Sequence, residues 1–235
     1  QYQQQPIPVK GNVIDFEKFV RYEELPLDGT IFQSWDIALK DGINNDYSVC
    51  VTAKYYNKCL YIMNIQRFKD DFSNLVSNIT KLYKLKSCNH LVIEESPVST
   101  NLIQYLKTEK QIYPISYSPT SSKVERANSA SLYVSSGQVL LPKNDVWLDE
   151  FKSEINAFPN GKHDDQVDAL TQLILKTCGE QQNCSLEILA EAIKRNRVKH
   201  IKNVKSPMNM TKSEFCNLVQ NSAKTKWIRN NKRFF

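Results

Sequence analysis

The feature that most constrains the fold of this chain is a change of hydrophobic period near residue 70. Before it, residues 31–39, 47–56 and 59–67 are strand-like, and the last two stretches, rich in Val, Tyr and Ile, meet at Asn57-Lys58, which reads as a tight hairpin turn. After it, Phe72, Leu75, Val76, Ile79, Leu82 and Tyr83 recur at threes and fours and predict an amphipathic helix over 70–85. Apolar runs at 90–93, 112–117 and 138–141 then alternate with helical patterns at 98–106, 121–136, 145–157 and 164–176. Ser122 followed by Glu125 has the spacing of a capping box. Three sequential antiparallel strands followed by alternating helices and strands predict an α/β fold: a mixed sheet with an initial antiparallel meander, flanked by helices.

A hydrophobic share of 41% with 24% charged residues is enough for one core and excludes full-length disorder, a collagen-like repeat and a disulfide-stapled miniprotein. Nowhere do 18 apolar residues run together, so the expectation is a soluble, intracellular protein without a membrane partner. Cys50, Cys59, Cys88, Cys178, Cys184 and Cys216 form no C-x-x-C pair, and His90, His163 and His200 lie near none at zinc-finger spacing, so ordinary reduced thiols are expected. Residues 1–30 contain Pro6, Pro8 and Pro26 in a Gln-rich start without a sustained period and read as an entry linker. Residues 31–178 are the expected compact domain and 179–235 a basic tail, partly helical or disordered. The chain starts at Gln1, which reads as a processed product or as a piece cut from something longer. Charge separates the parts: residues 1–179 carry 19 Lys+Arg against 21 Asp+Glu, and residues 180–235 carry 12 against 4. That asymmetry suits an arm for a polyanion, and a solvated tail has the same composition.

Three groups of acids could carry chemistry. Asp36 interrupts the apolar segment IFQSWDIAL, and taken alone reads as an edge-strand charge facing water. Glu94 and Glu95 follow a buried-looking strand at its C-terminal end, where open α/β sheets place their ligands. Their side chains point to opposite faces, so one of them at most joins a given site. For Glu94 a functional role and a mere exit into the loop of Pro97 stand level. Asp164, Asp165 and Asp168 open a helical stripe after the turn Pro159-Asn160-Gly161 and beside His163, more acid than capping needs. Carboxylates from separate elements suit Mg²⁺ or Mn²⁺, and a pair of such ions can activate water and stabilise a leaving 3′ oxygen.

Four blocks, QSWDIA with DYSVC after it, VIEES, SYSPTSSKVERANSASLYVSSGQVLLP and FPNGKHDDQVDAL, resemble the nuclease domain of tailed-phage terminase large subunits, and QYQQQPIP is similar to that family's join between motor and nuclease. The match covers roughly residues 1–177 in order. The resemblance implies an RNase H-like fold related to RuvC-type resolvases, cutting concatemeric double-stranded viral DNA during packaging in the host cytoplasm, with Mg²⁺ or Mn²⁺, two ions being expected. It implies that Asp36 and Glu94 are metal ligands, with the third within residues 163–168. Asp165 is favoured, then Asp168, then Asp164, and the resolvase-like ending implies that Asp165 and Asp168 both serve. Lys123 and Arg126, one turn apart, could hold a DNA phosphate, or could form a solvated face around Glu125. Asp46 reads as a turn acid.

Implied partners are double-stranded DNA, a terminase small subunit, a portal and a packaging ATPase that is separate or missing. None of the six glycines belongs to a G-x-x-x-x-G-K-[ST] loop. The basic stretch resembles nothing recognised. A helix is expected over 185–193, and the run 195–205 suits DNA phosphates or an unstructured segment. Two other functions fit the same residues: a catalytically silent DNA-binding or assembly module, and a RuvC-like junction resolvase.

Overall fold

The computed structural model describes residues 12–38 and 47–179, all within the unit Gln1–Gln182. The three expected meander strands are β2 (Thr30–Asp36), β3 (Ser48–Tyr56) and β4 (Cys59–Phe68), antiparallel in sequence and preceded by a short β1 (Val20–Tyr22). Asn57 and Lys58 both take positive φ, 49° and 63°, the conformation a two-residue hairpin turn requires. Then follow α1 (Phe72–Leu85), β5 (His90–Glu94), α2 (Pro97–Glu109), β6 (Ile115–Tyr117), α3 (Lys123–Ser135), β7 (Val139–Pro142), α4 (Leu148–Ala157) and α5 (Asp165–Ile174), which runs on into a wider turn over Leu175–Gly179.

The seven strands lie in the order β1-β7-β4-β3-β2-β5-β6. β3 runs against the other six. β2 is therefore central, paired antiparallel with β3 and parallel with β5, and the edge-strand reading of Asp36 does not hold. Strand order depends on pairing between distant segments, which a single strand's composition cannot report.

Each sheet face has its own core. On one face Trp35, Leu91 and Ile93 pack with Leu75, Ile79, Leu102 and Leu106 of α1 and α2. On the other Val49, Val51 and Ile62 pack with Ala127 and Ala130 of α3, Phe151 and Ile155 of α4, and Leu170 and Leu173 of α5. Ile14, Phe16 and Phe19 belong to this second core, and Val20–Tyr22 pairs with β7. The linker expectation for residues 1–30 is thus corrected over residues 14–22. A three-residue strand has no period of its own, and the partner of Val20 is Leu140, far along the chain.

Among the described residues no helix is long and apolar enough to cross a membrane. The described cysteines Cys50, Cys59, Cys88 and Cys178 are free thiols. Asp46, Cys184, Cys216, the expected helix over 185–193 and the basic run 195–205 lie outside the described residues.

Candidate active site

Alternation along the strands decides where the strand acids point. On β2 the Gln33 side chain donates to the Leu82 carbonyl of α1, and Trp35 joins the core beneath α1 and α2. Phe32 packs on the opposite core, so Asp36 shares that opposite face, the one covered by α5. On β5, Leu91 and Ile93 take the α1 and α2 side, which turns Glu94 to the same face as Asp36. Trp35 pairs with Ile93 across the parallel β2–β5 ladder, so the two acids end adjacent strands side by side. Glu95, the next residue, turns the other way and accepts from Ser118. The β5 exit is held by Ser99, whose hydroxyl donates to the Glu94 carbonyl at 2.6 Å while Ser96 caps α2.

The third set of acids arrives on α5. Helix N-termini ordinarily use an Asp for capping, but Asp164 makes no side-chain cap bond. Instead Glu154 of α4 accepts from the backbone amides of Gln166 (2.7 Å) and Val167 (3.2 Å), and from the Gln166 side chain at 2.6 Å. Sequence reasoning missed Glu154. Its signal was an acid on the apolar face of α4, between Phe151 and Ile155.

With the cap supplied from outside, the α5 acids turn to other partners. Lys123 Nζ lies 3.0 Å from both Asp164 oxygens and 2.5 Å from Asp168 Oδ2. Arg126 Nη2 lies 3.1 Å from Asp168 Oδ1 and 3.6 Å from Glu94 Oε2. Asp165 lies 3.9 Å from His163 Nδ1. His163 packs edge-on to Tyr47, whose ring carries the Arg67 guanidinium at 3.8 Å and Lys69 Nζ at 4.5 Å. This aromatic and cationic group beside the acids also escaped sequence reasoning, because its members come from separate stretches of chain.

Arg126 is 4% exposed, with its guanidinium turned to Asp168 and Glu94 rather than forming a solvated face. Lys123, by contrast, keeps a side chain that is 52% exposed. Asp168 is buried with a cation on each oxygen, Arg126 on one and the half-exposed Lys123 on the other, and through them it ties α3 to α5.

Burial, then the charges of Asp168, Glu94 and Asp165, push the Asp36 carboxyl up to about 7, and Lys123 only partly offsets them. Burial likewise raises Glu94 against the pull of Arg126. It also raises Asp168, against its hydrogen bond to Lys123. These groups form one electrostatic unit, drawn from β2, β5 and α5 and braced by α3. Among the described residues, no group of three or more His, Cys, Asp or Glu side chains stands in a ready metal-holding arrangement. The cations of α3 occupy part of the carboxylate set.

The profile of the family described as Terminase RNaseH-like domain matches residues 33–177, a span that contains every acid of the cluster. The chain belongs to this family. Terminase folds also superimpose on it. The large terminase of a thermophilic bacteriophage does so with a TM-score of 0.55 at 11% identity, over 70% of this chain and 44% of that one. The large terminase nuclease of thermophilic phage G20c, in its crystal structure with bound magnesium, gives a TM-score of 0.53 at 19% identity, over 71% of this chain and 98% of that one. Its zinc-bound form gives 0.52 at 19% identity, over 68% and 95%. The chain thus spans less than half of the first of these terminases and nearly all of the G20c nuclease. No curated protein sequence matches the chain. The RNase H-like fold expected from the terminase-like blocks is the fold observed.

Proposed function

We propose that this chain is the nuclease part of a terminase large subunit, a divalent-metal-dependent endonuclease that cuts concatemeric double-stranded viral DNA during genome packaging. What supports the reading is that Asp36 lies within electrostatic reach of Glu94, Asp165 and Asp168, acids that come from two other elements, with Arg126 tying Asp168 to Glu94. An all-carboxylate donor set fits a hard cation. The Asp36 carboxyl is raised first by burial and then by the charges of Asp168, Glu94 and Asp165, which Lys123 offsets only in part, and a cation bound beside it would relieve that repulsion.

Asp36, Glu94 and Asp165 would hold Mg²⁺ or Mn²⁺, and Asp168 and Asp164 would join them once released from Lys123. When bound, a pair of such ions supplies an activated water and charge stabilisation for the leaving 3′ oxygen. The chain's own residues set the stage: Ser99 fixes the strand end that carries Glu94, Glu154 fixes the start of α5, and Arg126 holds Asp168 and Glu94 in register. Packaging partners, namely the small subunit, the portal and an ATPase part, belong to the same proposal, in which a motor outside this chain drives translocation.

Incubating the purified chain with supercoiled plasmid and Mn²⁺ tests it. The expected result is nicking that Asp36→Ala abolishes. Cleavage absent at every metal concentration, or undiminished in Asp36→Ala, would overturn the reading. A catalytically silent DNA-binding module is the second reading, favoured by the Lys123 bridge across Asp164 and Asp168. Its signature is salt-sensitive DNA binding without cleavage.

A further inference from the structure

Lys123 and Arg126 sit one turn apart on α3 and both reach Asp168, but their situations differ. Arg126 is buried and takes Oδ1, a fixed tie between α3 and α5. Lys123 takes Oδ2 and both oxygens of Asp164, from a side chain that is about half exposed. Its ammonium group therefore does two things at once. It bridges two carboxylates at the mouth of the cluster, and it keeps an open path to water. Withdrawing it frees Asp164 and one oxygen of Asp168, and Arg126 still holds α3 against α5. A monovalent, flexible, strongly hydrated cation in this position is displaceable in a way a buried guanidinium is not.

Resting on the metal-dependent reading above, we infer that Lys123 is a tethered counter-ion of the acid cluster, competing with the incoming divalent cation for Asp164 and Asp168. Lys123 holds the carboxylates together while metal is absent and sets the concentration at which metal enters. A dication gains more from the cluster than an ammonium does, because its attraction to each carboxylate is doubled. Exchange is then favourable once enough free cation is present.

Calorimetric titration of the full chain with Mn²⁺ tests the inference on the wild type, Lys123→Met, Lys123→Gln and Asp36→Asn, with thermal unfolding of each in EDTA and in Mn²⁺. The two lysine variants are expected to bind Mn²⁺ about tenfold more tightly than the wild type. They should also unfold at lower temperature in EDTA and gain more on adding Mn²⁺. A variant that folds only when Mn²⁺ is present is the same result in stronger form. Affinity that is unchanged or weaker in the lysine variants, or failure of both to fold with or without Mn²⁺, overturns the counter-ion role. Asp36→Asn separates the two failures. Wild-type binding that this variant loses, combined with unchanged lysine variants, sinks the inference alone. Absence of Mn²⁺ binding in every protein sinks the metal reading itself.

Discussion

Asp36 is the residue whose ionisation the fold disturbs most usefully. Its carboxyl is raised from 3.8 to about 7 by burial and by Asp168, Glu94 and Asp165. Between those two values the folded chain holds a proton at Asp36 that the unfolded chain has released, so stability falls as pH rises through the window. Glu94 and Asp168 are raised too and act in the same sense. In EDTA, the thermal midpoint of the wild type is expected to fall from about pH 4 to about pH 7 more steeply than that of Asp36→Asn. A parallel course for the two proteins would show that Asp36 ionises freely. The acids themselves were legible as residue types at strand ends and at a helix start. Arg126 was not: a charged side chain one turn from Lys123 reads as surface, and only the packing of α3 on α5 shows it buried between Asp168 and Glu94.

At the scale of elements, α5 depends on a neighbour for its beginning. Glu154 accepts from two of its first amides, and both the carboxylate and the amides are buried. Removing a buried acceptor leaves donors without partners, at a cost of about 1–3 kcal/mol. Glu154→Ala is expected to lose stability on that order in chemical denaturation, and to lose nicking activity more than stability alone explains, because Asp165 rides on the same turn. A change below about 0.5 kcal/mol would place the cap elsewhere. Local signals served well for other elements. The Ser122 and Glu125 capping box formed as spaced, and the stripe from Leu75 to Leu82 is buried. What stayed hidden was non-local: the pairing that brings β1 beside β7, and the central place of β2, both rest on contacts between segments far apart in the chain.

For the whole molecule, charge is divided between a nuclease-like body and a C-terminal stretch with 12 basic against 4 acidic residues. Phosphate contacts release counterions, so a basic segment that touches DNA leaves its mark on the salt dependence of binding. Deleting residues 180–235 is expected to weaken duplex binding and flatten the slope of log Kd against log salt, while Mn²⁺-dependent nicking survives at higher protein concentration. An unchanged slope would remove the segment from the DNA interface. The fold described superimposes on nearly the full G20c large terminase nuclease and on less than half of the longer phage large terminase.

The side-by-side ending of β2 and β5 has a consequence for how such a chain tolerates change. Asp36 reaches its neighbours because an even count separates it from Phe32 on one pleated ribbon. Adding or deleting one position between 30 and 36 would swing the carboxylate through the sheet to the side of α1 and α2, however well the altered strand paired. Chemistry at this point is written in the parity of the backbone, so the stretch can vary in kind far more freely than in length.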